Sequence, residues 1–171
     1  MTLAARATLI RVIRFASLLL VGLVLGLTFA HVLEMPGKLR LPGPIWLVVQ
    51  QNLYVGFGAV GAVIEPAGIL LSWALVLLLR GRAGFGLALT AAITTSAGLA
   101  VWAILVAPMN AVLNGWTPAS LPSDWMAVRN RWELGHAIHA LLFAVAFSAL
   151  ATAAIRRGGP VPPNTGIGSS A

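Results

Sequence analysis

RVIRFASLLLVGLVLGLTFAHVLE, residues 11–34, decides the fold. Arg11 and Arg14 open it, an uncharged apolar run follows, and His31 and Glu34 close it. The apolar part, 15–33, has the length of roughly 20 residues that a helix needs to cross hydrocarbon. Three more runs of that kind follow: 53–79 with an amphipathic lead-in from 45, then 85–107, then 132–155. Across the chain 59% of residues are hydrophobic and 9% are charged, against about a quarter charged in soluble domains. A soluble fold of this size has no interior large enough for so much apolar surface, so lipid is the solvent for part of it. Helix is the one open-ended structure that satisfies its own backbone in lipid. The reading is therefore all-α: a four-helix transmembrane bundle over residues 1–157, with a disordered Gly-, Pro- and Ser-rich tail over 158–171.

Charge orients the bundle. Arg6, Arg11 and Arg14 precede the first run, Arg80 and Arg82 separate the second from the third, and Arg156 and Arg157 follow the fourth. With four spans all seven lie on one side, free of acids. Lys38, Arg40, Arg129 and Arg131 lie on the other, interleaved with Glu34, Asp124 and Glu133. The positive-inside rule then puts both termini in the cytoplasm of a multi-pass plasma (inner) membrane protein, with lipid headgroups as partners of the basic side. No basic face of a folded soluble domain is left for nucleic acid. The two outer segments are rich in Trp and Pro, the longer one joining spans three and four. Trp46, Trp116, Trp125 and Trp132 are expected at the outer interface. A rival reading takes the chain through Thr28-Phe29-Ala30 as a cleaved signal peptide, with Arg11 and Arg14 before its apolar stretch, leaving three spans with the amino end outside. The absence of cysteine excludes disulfides and thiolate chemistry.

Titratable groups inside spans are costly and call for a reason. Stripes of small residues at four-residue spacing, the pattern of close helix contacts in membranes, run into them. Gly22, Gly26 and Ala30 lead to Glu34. Gly58 and Gly61 lead to Glu65, Gly68 and Ser72. Gly86 to Gly98 leads towards Asn110, and Thr152 back to Ala140 leads to His136. Counting about 1.5 Å per residue from the inner arginines puts Glu34, Asn110 and His136 near the outer boundary, with His31 and His139 a turn deeper and Glu65 deeper still. Two acid–histidine pairs at three-residue spacing, His31/Glu34 and Glu133/His136, each share a helix face. Glu-x-x-His is also a di-metal ligand pattern of helical bundles. That reading competes with a metal-free site, and the metal-free one is preferred. Glu65 reads as a general base or proton carrier, or as a protonated hydrogen-bonding link between helices. Pro66 after it frees a backbone carbonyl, which suits a cavity wall. Arg129 and Glu133, four apart, read as an interfacial ion pair or as an anion-binding pair. Tyr54, Gln50 and Gln51 rim the same region or anchor the interface.

The run from Asn110-x-x-x-Asn114 through a Trp- and Pro-bearing loop to Asp124-Trp125-x-x-x-Arg129-x-Arg131-Trp132-Glu133-x-x-His136, with the early His31-x-x-Glu34 and four spans, resembles bacterial four-helix integral membrane proteins of the anthrone oxygenase-like family. The resemblance covers the chain except its tail. It implies oxidation of an anthrone-type substrate without a tightly bound cofactor, with Asn110, Arg129, Trp132, Glu133 and His136 at the matching positions.

Two functions follow from the residues. In the first, an oxygenase or oxidoreductase takes a lipophilic aromatic molecule from the membrane. His136, Glu65, His31, Glu133 and Arg129 do the proton and charge work, and Asn110, Asn114, Trp132, Glu34, Tyr54 and His139 hold the substrate. No cofactor is required for a carbanion that meets O2 directly, and the chain has no nucleotide-binding Gly-rich motif. In the second, the protein is a non-catalytic membrane subunit, or a transport or metal-binding protein, whose polar cluster joins the helices.

Overall fold

The computed structural model describes residues 2–156. The tail expected from 158 onward, and Arg157, lie outside them. Helix α1 spans Leu3–Lys38, α2 Gly43–Leu53, α3 Val55–Leu78 and α4 Phe85–Val101. A π-helical turn, Trp102–Val106, joins α4 to α5, Ala107–Asn114, and α6 spans Trp125–Ile155. Four helical stretches are long and apolar enough to cross a membrane: Leu3–Lys38, Val55–Leu78, Phe85–Asn114 and Trp125–Ile155. The protein is an all-α four-helix transmembrane bundle.

Three of the four spans outrun the apolar run that announced them, and the second, Val55–Leu78, falls just inside its run of 53–79. Helix α1 has 36 residues, about 54 Å, whereas the hydrocarbon core is about 30 Å thick. It starts early because Thr2 caps it, its hydroxyl accepting from the Ala5 N–H at 3.2 Å, and because residues 3–14 contain no Gly or Pro to stop it. The second run is two helices. Tyr54, at φ −99° and ψ 7°, breaks the chain between α2 and α3. Helix α2 is therefore a separate short element, opened by Pro42 and Pro44, that lies over one end of the bundle.

The π turn has a local cause. Pro108 has no N–H for the carbonyl four residues back, that of Ile104. The helix widens by one residue, with the Ala107 N–H reaching Trp102. The released Ile104 carbonyl accepts instead from the Arg131 guanidinium of α6 at 3.1 Å.

Around the bundle the order is α1, α3, α4, α6, with each helix packed on its two neighbours. The main core is aliphatic, with Val21 and Val24 of α1, Leu75 of α3, Ala91 and Ala92 of α4 and Phe143 and Leu150 of α6 all buried. A second cluster sits at the capped end: Trp46, Leu47, Val106, Leu113 and Trp132. Gln51 of α2 ties this cap down by donating to the carbonyls of Leu113 (2.9 Å) and Trp116 (3.0 Å). Trp46 is fully buried and Trp132 is 3% exposed. These two indoles are therefore core residues, not the interfacial anchors expected.

The small-residue stripes divide in two. Gly98 faces Phe143 and His139 and Gly68 faces Leu20 and Val21, and Gly135, outside the stripes, faces Val106 and Leu105, so these three are helix contacts. Gly26, Gly58, Gly61 and Gly86 have nothing within 4 Å of where a Cβ would stand. Two of the latter, Gly58 and Gly61, line a cavity.

Candidate functional site

The cavity occupies about 490 Å³ beneath α2 and touches all four spans. Its width follows from residue size. Gly58, Ala62 and Pro66 form one stripe of α3 along its wall and are exposed, and Leu99 and Trp102 stand opposite. The cavity thus opens sideways between α3 and α4 onto the lipid-facing surface. Pro66 has no N–H for the Ala62 carbonyl, and both residues line the wall.

His136 is the best-defined group in it. Its Nδ1 lies 3.0 Å from the Trp132 carbonyl oxygen. A carbonyl only accepts, so Nδ1 holds the hydrogen and Nε2 keeps its lone pair. That Nε2 has no hydrogen-bond partner among the described residues, and the side chain lines the cavity. The ring is gripped on both sides: Trp132 is 3.9 Å away and His31 is 4.2 Å away, centroid to centroid. Trp132 is itself fixed by donating its Nε1–H to Asn110 Oδ1 at 2.7 Å. The π turn sets which side of the third span Asn110 occupies.

His31 is 4% exposed and sits among Tyr54 (4.6 Å), Trp132 (5.0 Å) and Phe57 (5.2 Å). Its Nδ1 is 3.9 Å from Glu34, too far for a hydrogen bond. Glu34 is at the rim, where it accepts from the Tyr54 hydroxyl at 2.6 Å. Burial, then the hydrogen bond to Glu34, push the Tyr54 phenol above its ordinary pKa, so it stays a donor. Gln50 is 7% exposed, lines the cavity, and has neither amide atom hydrogen-bonded.

A turn deeper, Glu65 Oε1 meets His139 Nε2 at 3.0 Å. This bond crosses the bundle diagonally, from α3 to α6. Both side chains touch the cavity floor. It answers how a carboxyl is kept at that depth: its partner comes from the opposite helix.

Sequence reasoning missed Lys38. It was read as one of the outer cations, yet it is 4% exposed. Its ammonium lies 3.1 Å from Glu133 and 3.9 Å from Glu34, and over the rings of Trp132 (4.6 Å) and Tyr54 (5.2 Å). The signal was present: Lys38 is seven residues after His31 and four after Glu34, on their face of α1.

Lys38 also corrects two expectations. Glu133 pairs with it and not with Arg129, and lies outside the cavity lining. Arg129 turns the other way, donating to the Leu39 carbonyl (3.2 Å) and Asn130 Oδ1 (3.2 Å) and lying over Trp125 at 4.9 Å. It fastens α6 to the end of α1 and does not reach the cavity. The di-metal arrangement fails on the same residue. The Lys38 ammonium stands between the carboxylates of the two acid–histidine pairs, and no three His, Asp or Glu side chains converge on a metal position among the described residues. Asn114 lines the cavity. His31, His136, Trp132, Asn110 and Tyr54 are brought together, with Glu34 at the rim and Glu65 and His139 as the floor.

Among models of known families, characterised proteins and solved structures, none matches this chain.

Proposed function

We propose that this protein is an anthrone oxygenase-like membrane enzyme: it oxidises a lipophilic aromatic substrate by base-assisted reaction with O2. One observation carries the reading. A histidine held in a single tautomer presents an unpartnered Nε2 to a largely apolar cavity that opens towards lipid. A substrate dissolved in the bilayer enters between α3 and α4 without crossing water.

His136 Nε2 removes a proton from the activated CH2 of an anthrone-type ring, leaving a carbanion stabilised as a phenolate-like oxyanion. The free Gln50 amide and the imidazole of His31 line the same cavity and supply donors for that oxyanion. Arg129, expected in this role from sequence, is turned away. The carbanion passes its electrons to O2 and forms a C–O bond, giving a hydroperoxide after one proton is returned. Loss of the second C–H proton forms C=O as the O–O bond breaks, and the departing hydroxide leaves as water. The substrate is oxidised, one oxygen atom enters the product and the other becomes water.

The competing reading, a non-catalytic subunit, draws on the pairs Lys38–Glu133 and Glu65–His139, which join helices to one another. O2 uptake decides between them. Purified protein in detergent is expected to consume O2 with an anthrone, and His136→Ala to lower the rate by at least about 10²-fold. A folded wild type with no turnover, or a His136→Ala variant of full activity, would overturn the enzyme reading. The orientation proposed with it, both termini in the cytoplasm of a plasma membrane, rests on the arginines flanking the spans. A reporter inserted at Gly84 that reads external contradicts it.

A further inference from the structure

One titratable pair of the cavity has no part in the reaction above. Glu65 of α3 is 7% exposed and lines the cavity from the helix diagonal to α6. Its Oε1 is committed to His139 Nε2 at 3.0 Å. Its Oε2 has no hydrogen-bond partner among the described residues. The His139 Nδ1 is buried without a partner as well. Buried N–H groups are left bare less often than buried acceptors, so the His139 hydrogen sits on Nε2 and points at Glu65. The carboxyl is then the acceptor of that bond, and Oε2 keeps its lone pairs.

The oxidation itself asks for two bases. The reacting CH2 carries its two hydrogens on opposite faces of a flat ring, and His136 Nε2 takes one of them. His136 then holds the proton that is returned to the peroxide, so O2 adds on the face towards His136. Addition there turns the remaining hydrogen to the other face, away from His136. Of the other titratable groups at this end, His31 stands against the His136 ring at 4.2 Å and Glu34 is at the rim with Tyr54. Glu133 is paired with Lys38 outside the lining. Glu65 is a turn deeper than His136, in the same cavity, and comes from the opposite helix.

We propose that Glu65 is the second catalytic base of this oxidation, a role that rests on the reading above. A flat ring that enters sideways between α3 and α4 lies between His136 and Glu65. Glu65 Oε2 takes the second C–H proton from the hydroperoxide. The electrons of that C–H bond form the second C–O bond, the O–O bond breaks and hydroxide departs. The hydroxide takes the proton from Glu65 and leaves as water, which restores the carboxylate. Both hydrogens of the CH2 thus end in one water molecule, and no proton has to pass between the apolar cavity and bulk solvent.

A single turnover separates the two bases. The full chain in detergent, in excess, is mixed with an anthrone and O2. O2 uptake is followed directly. Quinone and hydroperoxide are counted after quenching, the hydroperoxide as the alcohol left by phosphine reduction. Glu65→Gln keeps the shape and an acceptor for His139 and removes the base. It is expected to leave O2 uptake within about twofold of wild type, to slow quinone formation by at least about 10²-fold and to accumulate hydroperoxide. Glu65→Asp draws the carboxylate back by one carbon and is expected to slow quinone formation about tenfold more than O2 uptake, which gives the same split where Glu65→Gln fails to fold. His136→Ala is expected to lose O2 uptake itself. Equal loss of O2 uptake and quinone in a folded Glu65 variant would mark a structural role and overturn the proposal. Quinone formed at the full rate by Glu65→Gln would overturn it as well. Both results leave the oxidation standing, whereas a wild type that takes up no O2 removes the oxidation and the role of Glu65 with it.

Discussion

Replacing Lys38 by Met tests whether the ion pair at the histidine end holds the bundle together. Lys38 and Glu133 are 4% and 2% exposed and 3.1 Å apart. Methionine keeps much of the volume of the lysine stem and removes its charge. Glu133 is then left as a buried carboxylate without a cation, since Arg129 is committed to Leu39 and Trp125. Breaking a buried pair from one side costs about 3–5 kcal/mol. The ammonium's position over Trp132 and Tyr54 adds about 0.5–2 kcal/mol to the loss. For a chain of this size, at about 2–4 °C per kcal/mol, the lower and upper ends correspond to a fall in Tm of about 7–28 °C. Thermal unfolding in a fixed detergent, followed by near-UV circular dichroism from the indoles, reads it. The double variant Lys38→Met/Glu133→Gln removes the orphaned charge as well, and is expected to recover at least half of the loss. A single variant that unfolds within about 2 °C of wild type refutes the reasoning. So does a double variant no more stable than the single one.

Two further outcomes follow from local geometry. The chain has one tyrosine, so absorbance at the phenolate band titrates Tyr54 alone. Its midpoint is expected above the ordinary value of about 10, and Glu34→Gln is expected to lower it without restoring that value, because burial is the larger cause. The sign for stability follows: the raised folded-state value contributes fully below about pH 10 and is lost as pH rises through the folded-state value. A wild-type midpoint at the ordinary value contradicts the described packing. Glycine substitutions separate contact from void. Gly135→Ala puts a Cβ 2.6 Å from Val106 Cγ2 and 3.0 Å from Leu105 Cβ, and is expected to cost about 1–3 kcal/mol. Gly61→Ala meets nothing within 4 Å and is expected to gain about 0.5–1 kcal/mol as a helical Gly replaced by Ala. Equal shifts in Tm for the two would contradict the distinction.

The architecture was legible because lipid enforces it. Four apolar runs of spanning length admit one solution, and the side of each titratable group followed from counting turns. His31, His136, Glu65 and Glu34 were placed by depth alone, and the structure gathers them at one end. Pairing was less legible. Arg129 and Glu133 stand four apart on α6, but local spacing lost to a tertiary partner, because Lys38 arrives from α1 at 3.1 Å. The diagonal Glu65–His139 bond links helices that are not neighbours in the ring, which no pattern within one helix encodes. Glycine was ambiguous for a physical reason: it marks either a neighbour that comes close or a space left open. Gly98 and Gly61 have the same residue type and opposite surroundings. The tryptophans misled because an indole serves a buried cap as well as an interface, and Trp46 went to the cap.

The widened turn at Trp102–Val106 makes chain length a variable of the site. Each residue added to or taken from a helix rotates everything beyond it by about 100°. The extra residue absorbed there turns Asn110, and with it the grip on Trp132 and His136, relative to Leu99 on the same span. Removing a single residue from that turn would leave every side chain of the site in the protein and swing the asparagine away from the indole. The third span thus works like a two-part dial, its lower half registered by the bundle core and its upper half by one proline.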